Sequence, residues 1–334
     1  MNFVMNQMTS LRYFLPLVIE GNKRGVQSKF FVNASRKYNC ALAHIQTLSQ
    51  IAKQHQVLLY PIKEISNHVK DPTFFTEDQE IYNIDFMENK KYSITTMDDF
   101  QCFYNKPDDA TRPGIYINHC DHVIMPSKFM AEHYDCVTSK NLYFGSPKYD
   151  ITLEKEQIYE KYGLDSQEKY ALLVFPRRRD AFKVDLLQLY PFLREQGYKI
   201  IVKTRSKDRV PRREYMGDHY FEDFSWYPHT TMELIQVSNF IVNFDSTTIK
   251  ECVMLNTPLV NFHVKPFSPS TFMGFLYDYP YCKQLNPNLD FQQIKVAIEE
   301  IEQSDYDEHF KEARKKHLFE SGKVSKKILD FVLQ

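Results

Sequence analysis

The sequence predicts an α/β protein with two domains, each built on a parallel β-sheet. Short apolar segments alternate with amphipathic segments of helical period, a pattern typical of β-α-β units. The alternation is interrupted at residues 146–168 and then begins again. A length of 334 residues is also more typical of two domains than of one.

In the first half, apolar segments predict the strands and the segments between them predict the helices. A helix beginning after a capping Ser10 and ending near Gly25 follows the first strand. The other predicted helices cover residues 41–56 and 127–134. The predicted strands cover residues 3–5, 29–34, 57–62, 92–96, 122–127 and 141–145.

The second half repeats this alternation after a charged helix predicted within residues 146–168. Helices are predicted at 180–196 and 230–238, and the charged tail from about residue 291 is helical. The predicted strands cover residues 169–175, 199–205, 219–222, 239–244 and 258–263. We therefore place the domains at residues 1–150 and 151–334, with the helical tail in the second domain.

Composition excludes several classes of protein. The formal net charge of -1 argues against general binding to nucleic acid or membranes, beyond peripheral membrane contact at most. The six cysteines form no CxxC pair, and no signal peptide or apolar run of about 20 residues occurs. These features predict a soluble cytoplasmic protein with free thiols. The absence of GxGxxG, Walker A, GxSxG and HExxH argues against dinucleotide oxidoreductases, P-loop NTPases, ordinary α/β-hydrolases and zincins.

Candidate ligand-binding residues follow four strands of the second half, and ligands of parallel sheets bind at the carboxyl ends of strands. Hydroxyls at a strand–helix junction can cap the helix, and the N–H groups there attract anions that guanidinium groups can also bind. Glu251, one turn further along, is suited to accept hydrogen bonds from ribose hydroxyls. A structural N-cap and a solvated basic turn are the alternatives. The candidates are Arg177, Arg178, Arg179, Lys203, Arg205, Ser246, Thr247, Thr248 and the segment SWYPHTT at 225–231.

The segment NFDSTTIKECVMLNTPLVNF, residues 243–262, resembles the nucleotide-diphosphate loop of GT-B glycosyltransferases. It is also similar to the loops of CDP-glycerol glycerophosphotransferases and UDP-N-acetylglucosamine 2-epimerases. In these proteins a strand ends in a Ser/Thr cluster, a helix carries an acidic residue, and a turn with proline opens the next strand. HVIMPSKFMAEHY, NLYFGSPKYD and the first 25 residues resemble further segments of such enzymes.

The resemblance implies two Rossmann-like domains facing across a cleft, with a nucleotide donor in the second domain and an acceptor in the first. It implies a cytoplasmic transferase of cell-surface polysaccharide biosynthesis. This enzyme would move a glycosyl or glycerophosphate group to a glycan or polymer acceptor. The activated donor is a substrate, so no cofactor is expected. A sugar-nucleotide epimerase and a non-catalytic nucleotide-sugar binder remain as alternatives.

A transferase needs a base that takes the proton of the acceptor hydroxyl. Asp98 and Asp99 follow a strand of the first half and are the first candidates, and His119 is the rival. HCDH at 119–122 and DYD at 305–307 contain residue types that bind metals. The spacing of the first and the charged helical context of the second argue against a metal site at either position. We therefore expect a metal-independent reaction in which Lys203, Arg205 and the helix N-terminus neutralise the leaving diphosphate. Trp226 and Tyr227 are candidates for stacking on a base or sugar, or for packing in the core.

Overall fold

A computed structural model describes most of the chain. The described residues are 1–33, 41–68, 70–76, 90–96, 120–134, 136–175, 183–204, 209–223, 225–264 and 273–334. They form two compact units. Unit 1 contains Met1–Ile151 and Lys316–Gln334, and unit 2 contains Thr152–Lys315. The chain therefore passes from unit 1 to unit 2 near residue 151 and returns to unit 1 near residue 316.

Unit 1 is built on a seven-stranded parallel sheet with the order β3-β2-β1-β4-β5-β6-β7. Its strands are β1 (Asn2–Met5), β2 (Lys29–Val32), β3 (Leu58–Pro61), β4 (Thr73–Thr76), β5 (Lys91–Ile94), β6 (His122–Met125) and β7 (Asn141–Tyr143). Its helices before residue 151, in the described part, are α1 (Leu11–Lys23), α2 (Ile45–Gln54) and α3 (Lys128–His133).

Aromatic side chains form much of the core between this sheet and α1. Phe3 of β1 stacks on Phe74 of β4 at 5.2 Å and contacts Phe14 of α1 at 5.1 Å between ring centroids. Tyr92 continues the row at 5.3 Å from Phe74. Such rings bury large apolar areas, and hence the short apolar strands are stable in the middle of the sheet.

Unit 2 is built on a six-stranded parallel sheet with the order β10-β9-β8-β11-β12-β13. Its strands are β8 (Lys169–Val174), β9 (Tyr198–Lys203), β10 (His219–Phe221), β11 (Phe240–Asn243), β12 (Leu259–Phe262) and β13 (Cys282–Leu285). Its described helices are α4 (Lys155–Tyr162), α5 (Leu186–Glu195), α6 (Thr230–Gln236), α7 (Ile249–Met254), α8 (Phe291–Gln303) and α9 (Asp307–His317), which runs two residues into unit 1.

The two parallel sheets confirm the predicted α/β fold class, with differences in detail. Strands β4 and β13 were not predicted. Ser10 makes no side-chain hydrogen bond to α1, and its Oγ lies 3.5 Å from Thr76 Oγ1 instead. The predicted strands and helices generally end one or more residues earlier than expected, a difference of the size by which such boundaries ordinarily vary.

The last helix, α10 (Val324–Val332), packs in unit 1 because the turn after β7 holds its N-terminus. The Asp150 carboxylate accepts hydrogen bonds from the N–H groups of Gly322 and Ser325, which caps the helix. Gly145 in the same turn has φ +102°, and a Cβ there would lie 2.6 Å from the Phe319 ring. A glycine is therefore required for the tail to approach this closely.

The helix α10 also contributes to the core of unit 1. Ile328 and Leu329 are fully buried, and the Phe331 ring lies 5.1 Å from His122 and 5.7 Å from Phe144. The predicted helical tail is thus confirmed as helix, and its apolar face covers the first sheet. Among the helices that the structure describes, none is long and apolar enough to cross a membrane.

Replacing Ile328 with alanine should lower the free energy of unfolding by about 2–5 kcal/mol, because a buried aliphatic side chain is removed and a cavity remains. The matched control is Leu333→Ala, since Leu333 is 41% exposed. We expect this control to change stability by no more than about 0.5 kcal/mol. Urea denaturation followed by circular dichroism measures both. Equal stability of the two variants would contradict the packing of α10 on unit 1.

Candidate functional site

The carboxyl edge of the second sheet contains a topological switch point. Strand β8 pairs with β9 on one side and with β11 on the other. The chain continues from β8 to β9 and from β11 to β12, so it leaves the neighbouring strands β8 and β11 toward opposite edges of the sheet. Open parallel sheets bind ligands at such points. The described residues at this edge follow β9, β10, β11 and β12, so we consider them together.

The turn after β11 is organised by the Asp245 carboxylate. Asp245 has a positive φ of +47°, which is uncommon outside glycine and is best tolerated by Asn and Asp. Its Oδ1 accepts a hydrogen bond from Asn261 Nδ2 at 2.8 Å, and its Oδ2 accepts one from the Val264 N–H at 2.8 Å. Its own N–H donates to Asn261 Oδ1 at 2.9 Å. These bonds tie the end of β11 to the end of β12 and hold the turn in its left-handed conformation.

A second set of buried hydrogen bonds also stabilises the turn after β11. Asn243 Nδ2 donates to Asn261 Oδ1 at 2.8 Å and to the Tyr277 hydroxyl at 3.0 Å. The Tyr277 hydroxyl donates to the Ser246 carbonyl at 2.8 Å. Burial raises the pKa of Tyr277, so its hydroxyl keeps the proton that it donates. The main chain at Ser246 is therefore fixed from two sides.

The predicted hydroxyl cluster lies directly on this turn. Ser246 Oγ is 3.1 Å from Thr248 Oγ1, and Ser246 and Thr247 are partly exposed whereas Thr248 is buried. Within the part of the chain that the structure describes, the N–H groups of Ser246 and Thr247 donate no hydrogen bond. Helix α7 has only six residues and no side-chain cap from Thr248. Hydrogen-bond donors at this position therefore come from the turn itself and not from a long helix.

Glu251 lies one turn further, as predicted, but its side chain is buried. Its Oε1 is 4.0 Å from Nζ of Lys250, which is also buried. The ribose contact proposed for Glu251 stays a prediction.

Lys203 ends β9 and is engaged by an acidic side chain of the neighbouring strand end. Its Nζ lies 2.5 Å from Asp223 Oδ1, and His229 Nε2 lies 3.3 Å from the same oxygen. All three side chains are nearly buried. Burial disfavours the charged form of Asp223, but the hydrogen bond with His229 and the Lys203 charge hold its pKa well below its usual range. Lys203, the predicted cation, therefore lies at the carboxyl edge of the second sheet, where it is paired with the Asp223 carboxylate.

The segment SWYPHTT leads into α6, which begins at Thr230 as expected. Helix α4 fixes α6 through Glu233, whose carboxylate accepts hydrogen bonds from Lys161 Nζ at 2.8 Å and the Tyr162 hydroxyl at 2.6 Å. Trp226 is 9% exposed, so most of its ring is packed against the protein. The anchored helix keeps His229, the residue before it, beside Asp223.

Several predicted site residues lie outside the described residues. They are Asp98, Asp99, His119, Arg177, Arg178, Arg179 and Arg205. No group of His, Cys, Asp and Glu that could hold a metal is found among the residues that the structure describes. In DYD, the Asp305 carboxylate accepts the N–H of Asp307 at 2.9 Å, which caps the start of α9.

Sequence reasoning missed the residues that shape the site, namely Asp245, Asn261, His263, Asp223 and His229. One signal was present. Asn243 and Asn261 occupy paired positions in β11 and β12, and both are fully buried in otherwise apolar strands. A buried amide requires hydrogen-bond partners, so two amides at one level of a sheet indicate a polar network at that end.

Comparison with known proteins identifies the fold of the chain. No protein-family model matches the chain, and no curated protein matches it in sequence. A structure of the wall teichoic acid polymerase TagF with CDPG has a TM-score of 0.66 at 14% identity, covering 99% of this chain and 88% of that one. A putative UDP-N-acetylglucosamine 2-epimerase from Listeria monocytogenes has a TM-score of 0.65 at 12% identity, with 99% and 95% covered. The chain has the GT-B fold.

A third solved structure is also similar to the chain. The UDP-GlcNAc 2-epimerase of Methanocaldococcus jannaschii, in complex with UDP-GlcNAc and UDP, has a TM-score of 0.59 at 12% identity, covering 100% of this chain and 99% of that one. The GT-B resemblance read from residues 243–262 is thereby confirmed for the fold. At these identities the match shows fold alone, and the GT-B fold carries both transferases and epimerases.

Replacing Asp245 with alanine should destabilise unit 2 by about 2–5 kcal/mol, because buried donors lose a charged acceptor and alanine is strained at positive φ. Asp245→Asn should cost less than half as much, since asparagine tolerates this conformation and retains one acceptor oxygen. Urea denaturation followed by the fluorescence of Trp226, the single tryptophan, reports on this unit. Wild-type stability of Asp245→Ala would contradict the role of this carboxylate.

Proposed function

We propose that the chain is a transferase that moves a glycosyl or glycerophosphate group from a nucleotide-diphosphate donor to a surface-glycan or polymer acceptor. One observation supports this proposal above others. At the switch point of the second sheet, a turn fixed by Asp245 presents two N–H groups and the Ser246 and Thr247 hydroxyls. Such a turn suits a diphosphate, and GT-B proteins include enzymes solved with nucleotide donors.

In this proposal, unit 2 binds the donor. The N–H groups and hydroxyls of the turn donate hydrogen bonds to phosphate oxygens. Lys203 adds positive charge from the adjacent edge of the sheet, although Asp223 reduces its net contribution. Arg177, Arg178, Arg179 and Arg205 follow β8 and β9 in sequence and are proposed as further diphosphate contacts. Thr248 supports Ser246, and Glu251 is proposed to contact the ribose.

Unit 1 is proposed to bind the acceptor. In glycosyl transfer, the acceptor oxygen bonds to the sugar carbon while the bond to the diphosphate oxygen breaks, and the electron pair leaves with the nucleoside diphosphate. In glycerophosphate transfer, the acceptor oxygen bonds to the phosphorus next to glycerol while the bond between the two phosphates breaks, and the electron pair leaves with the nucleoside monophosphate. A base must take the acceptor proton, and Asp98, Asp99 or His119 is proposed for this role. Donors aimed at the leaving nucleotide's phosphate oxygens stabilise the charge that develops on them.

A sugar-nucleotide epimerase is the second candidate, because the Listeria epimerase resembles the chain as closely as TagF does in TM-score. An epimerase shares the donor site and needs no separate acceptor. Incubation with UDP-N-acetylglucosamine and analysis of the released sugar separates the two activities, since only an epimerase releases the 2-epimer.

The experiment that tests the proposal is a thermal-shift screen with CDP-, UDP-, GDP- and ADP-linked donors. Binding to the native state raises the melting temperature, so the correct donor should stand out. Slow hydrolysis of that donor without acceptor would support a transferase over a non-catalytic binder. If no nucleotide-linked donor stabilises the protein, the proposal is wrong.

Replacing Ser246 and Thr247 together with alanine should weaken donor affinity at least about tenfold, because two hydroxyl hydrogen bonds to charged phosphate oxygens are lost. Calorimetric titration with the donor found in the screen measures this. The matched control is Ser166→Ala with Ser304→Ala, two exposed serines of the same unit. If the Ser246/Thr247 variant binds the donor with wild-type affinity, these two hydroxyls do not bind the donor's phosphates.

Turnover should not require a divalent metal, because N–H groups, hydroxyls and cations are proposed to neutralise the phosphate charge of the leaving nucleotide. We expect initial rates in EDTA to stay within about twofold of those in Mg²⁺, a change far smaller than the loss of a key electrostatic contact. The control is a parallel assay in which EDTA is titrated with excess Mg²⁺ or Mn²⁺. A rate abolished by EDTA and restored by either ion would contradict metal independence.

A further inference from the structure

An arginine of the first unit carries its charge without a partner in the described part of the chain. Arg12 is the second residue of α1 and is half-buried, and its Nε lies out of contact with solvent. Among the described residues, its guanidinium makes no hydrogen bond and no ion pair. Buried N–H groups are nearly always paired, and a guanidinium carries five donors, so Arg12 can accommodate an acceptor from a ligand.

Arg24, just past the other end of the same helix, has the partners that Arg12 lacks. Its Nε donates to Glu20 Oε1 at 3.0 Å, and its Nη1 donates to Asp330 Oδ1 at 2.8 Å. A cation is also favoured at the C-terminal end of a helix and disfavoured in the first turn. Residues 8–14, MTSLRYF, contain no carboxylate that could compensate Arg12. A residue that departs from these local rules is expected at a functional site.

The first turn of α1 lies at a topological switch point of the first sheet. Strand β1 pairs with β2 on one side and with β4 on the other. The chain continues from β1 to β2 and from β4 to β5, so it leaves β1 and β4 toward opposite edges of the sheet. Only residues 6–10 separate the end of β1 from α1, which places Arg12 at the carboxyl edge. Ligands of open parallel sheets bind at such points.

Two contacts hold the first turn of α1 against neighbouring strand ends. The Tyr13 hydroxyl donates to the Thr96 carbonyl at 2.7 Å, two residues after β5. Ser10 Oγ lies 3.5 Å from Oγ1 of Thr76, the last residue of β4. These contacts come from both sides of Arg12 in the chain, so they fix the backbone that carries the guanidinium.

We propose that Arg12 binds an anionic group, a phosphate or a carboxylate, that the acceptor carries beside its reacting hydroxyl. This inference rests on the proposed function and deepens it, because it makes the acceptor an acidic molecule and not a neutral glycan. The planar guanidinium can donate two parallel N–H hydrogen bonds, a geometry that matches both phosphate and carboxylate.

An anion at this position relieves both unfavourable features of Arg12. It gives the buried Nε an acceptor, and its negative charge compensates the cation in the first turn. A neutral sugar hydroxyl can accept a hydrogen bond, but it leaves the charge uncompensated. The site therefore distinguishes acidic acceptors from neutral ones.

Thermal-shift titration of the full chain with four small molecules tests the proposal. Glycerol 3-phosphate and glycerate carry an anionic group beside hydroxyls, inorganic phosphate carries the anion alone, and glycerol carries hydroxyls alone. Sodium chloride keeps the ionic strength equal in all samples, so that screening is the same. Glycerol 3-phosphate, glycerate or both should stabilise the wild-type protein at lower concentrations than inorganic phosphate or glycerol.

Variants assign this binding to Arg12. Arg12→Gln should weaken binding of the anionic ligand at least about tenfold, because a charge-assisted contact is lost. Arg12→Lys keeps the charge without the planar fork and should have intermediate affinity. Lys23→Gln is the matched control, since it removes one positive charge from the other end of α1, where the Lys23 side chain is 69% exposed. This control should bind as the wild type does.

The stability of the unliganded variants gives a second readout. Because the Arg12 charge has no partner in the described part of the chain, Arg12→Gln should be at least as stable in urea as the wild type. A variant that both binds weakly and unfolds at clearly lower urea concentration would assign Arg12 a structural role, against the proposal.

The outcomes distinguish this inference from the proposed function. The inference is overturned if Arg12→Gln binds the anionic ligands as the wild type does, if glycerol is as effective as they are, or if none of them binds. The donor screen then still decides the proposed function. Inorganic phosphate binding as tightly as glycerol 3-phosphate would show a site for the free ion, and a loss of donor affinity in Arg12→Gln would make Arg12 a donor contact. Either result overturns the acceptor role.

Discussion

The hydrogen bonds of the Asp245 carboxylate are the constraint on which the candidate site depends. They join the ends of two neighbouring strands, so the turn after β11 cannot move without breaking contacts to β12. They also hold a residue at positive φ, which a free turn would seldom adopt. The N–H groups and hydroxyls of the turn are therefore already ordered, and in the proposed function little further ordering would oppose binding of a donor.

The carboxyl edge of the second sheet uses its acidic residues to position other groups. Asp245 orients an imidazole and a turn, whereas Asp223 holds Lys203 and His229 at the far side of the switch point. Each carboxylate lowers the net positive charge of the edge while fixing the geometry of a donor. In the proposed function, the edge would bind a diphosphate through directed hydrogen bonds more than through bulk charge, in keeping with a chain of formal net charge -1.

Sequence periodicity predicts most of this architecture because buried parallel strands are short apolar runs separated by helices. It misses β4 and β13 for different reasons. Strand β4 is only four residues, TFFT, and β13, CKQL, is a partly exposed strand at the edge of the sheet. The hydroxyl cluster at 246–248 was visible because its residues are adjacent in the chain. The Asp245–Asn261 and Lys203–Asp223 contacts were not, since they join residues 16 and 20 positions apart through the sheet.

The capping of α10 by Asp150 has a topological consequence. The chain leaves unit 1 near residue 151 and re-enters it near residue 316, so unit 2 is inserted into unit 1 as one continuous segment. An N-terminal fragment that stops near residue 151 would lack the helix whose Ile328 and Leu329 complete its core. A stable first unit therefore requires residues 316–334 as well as residues 1–151, joined by a short linker or supplied as two complementing chains.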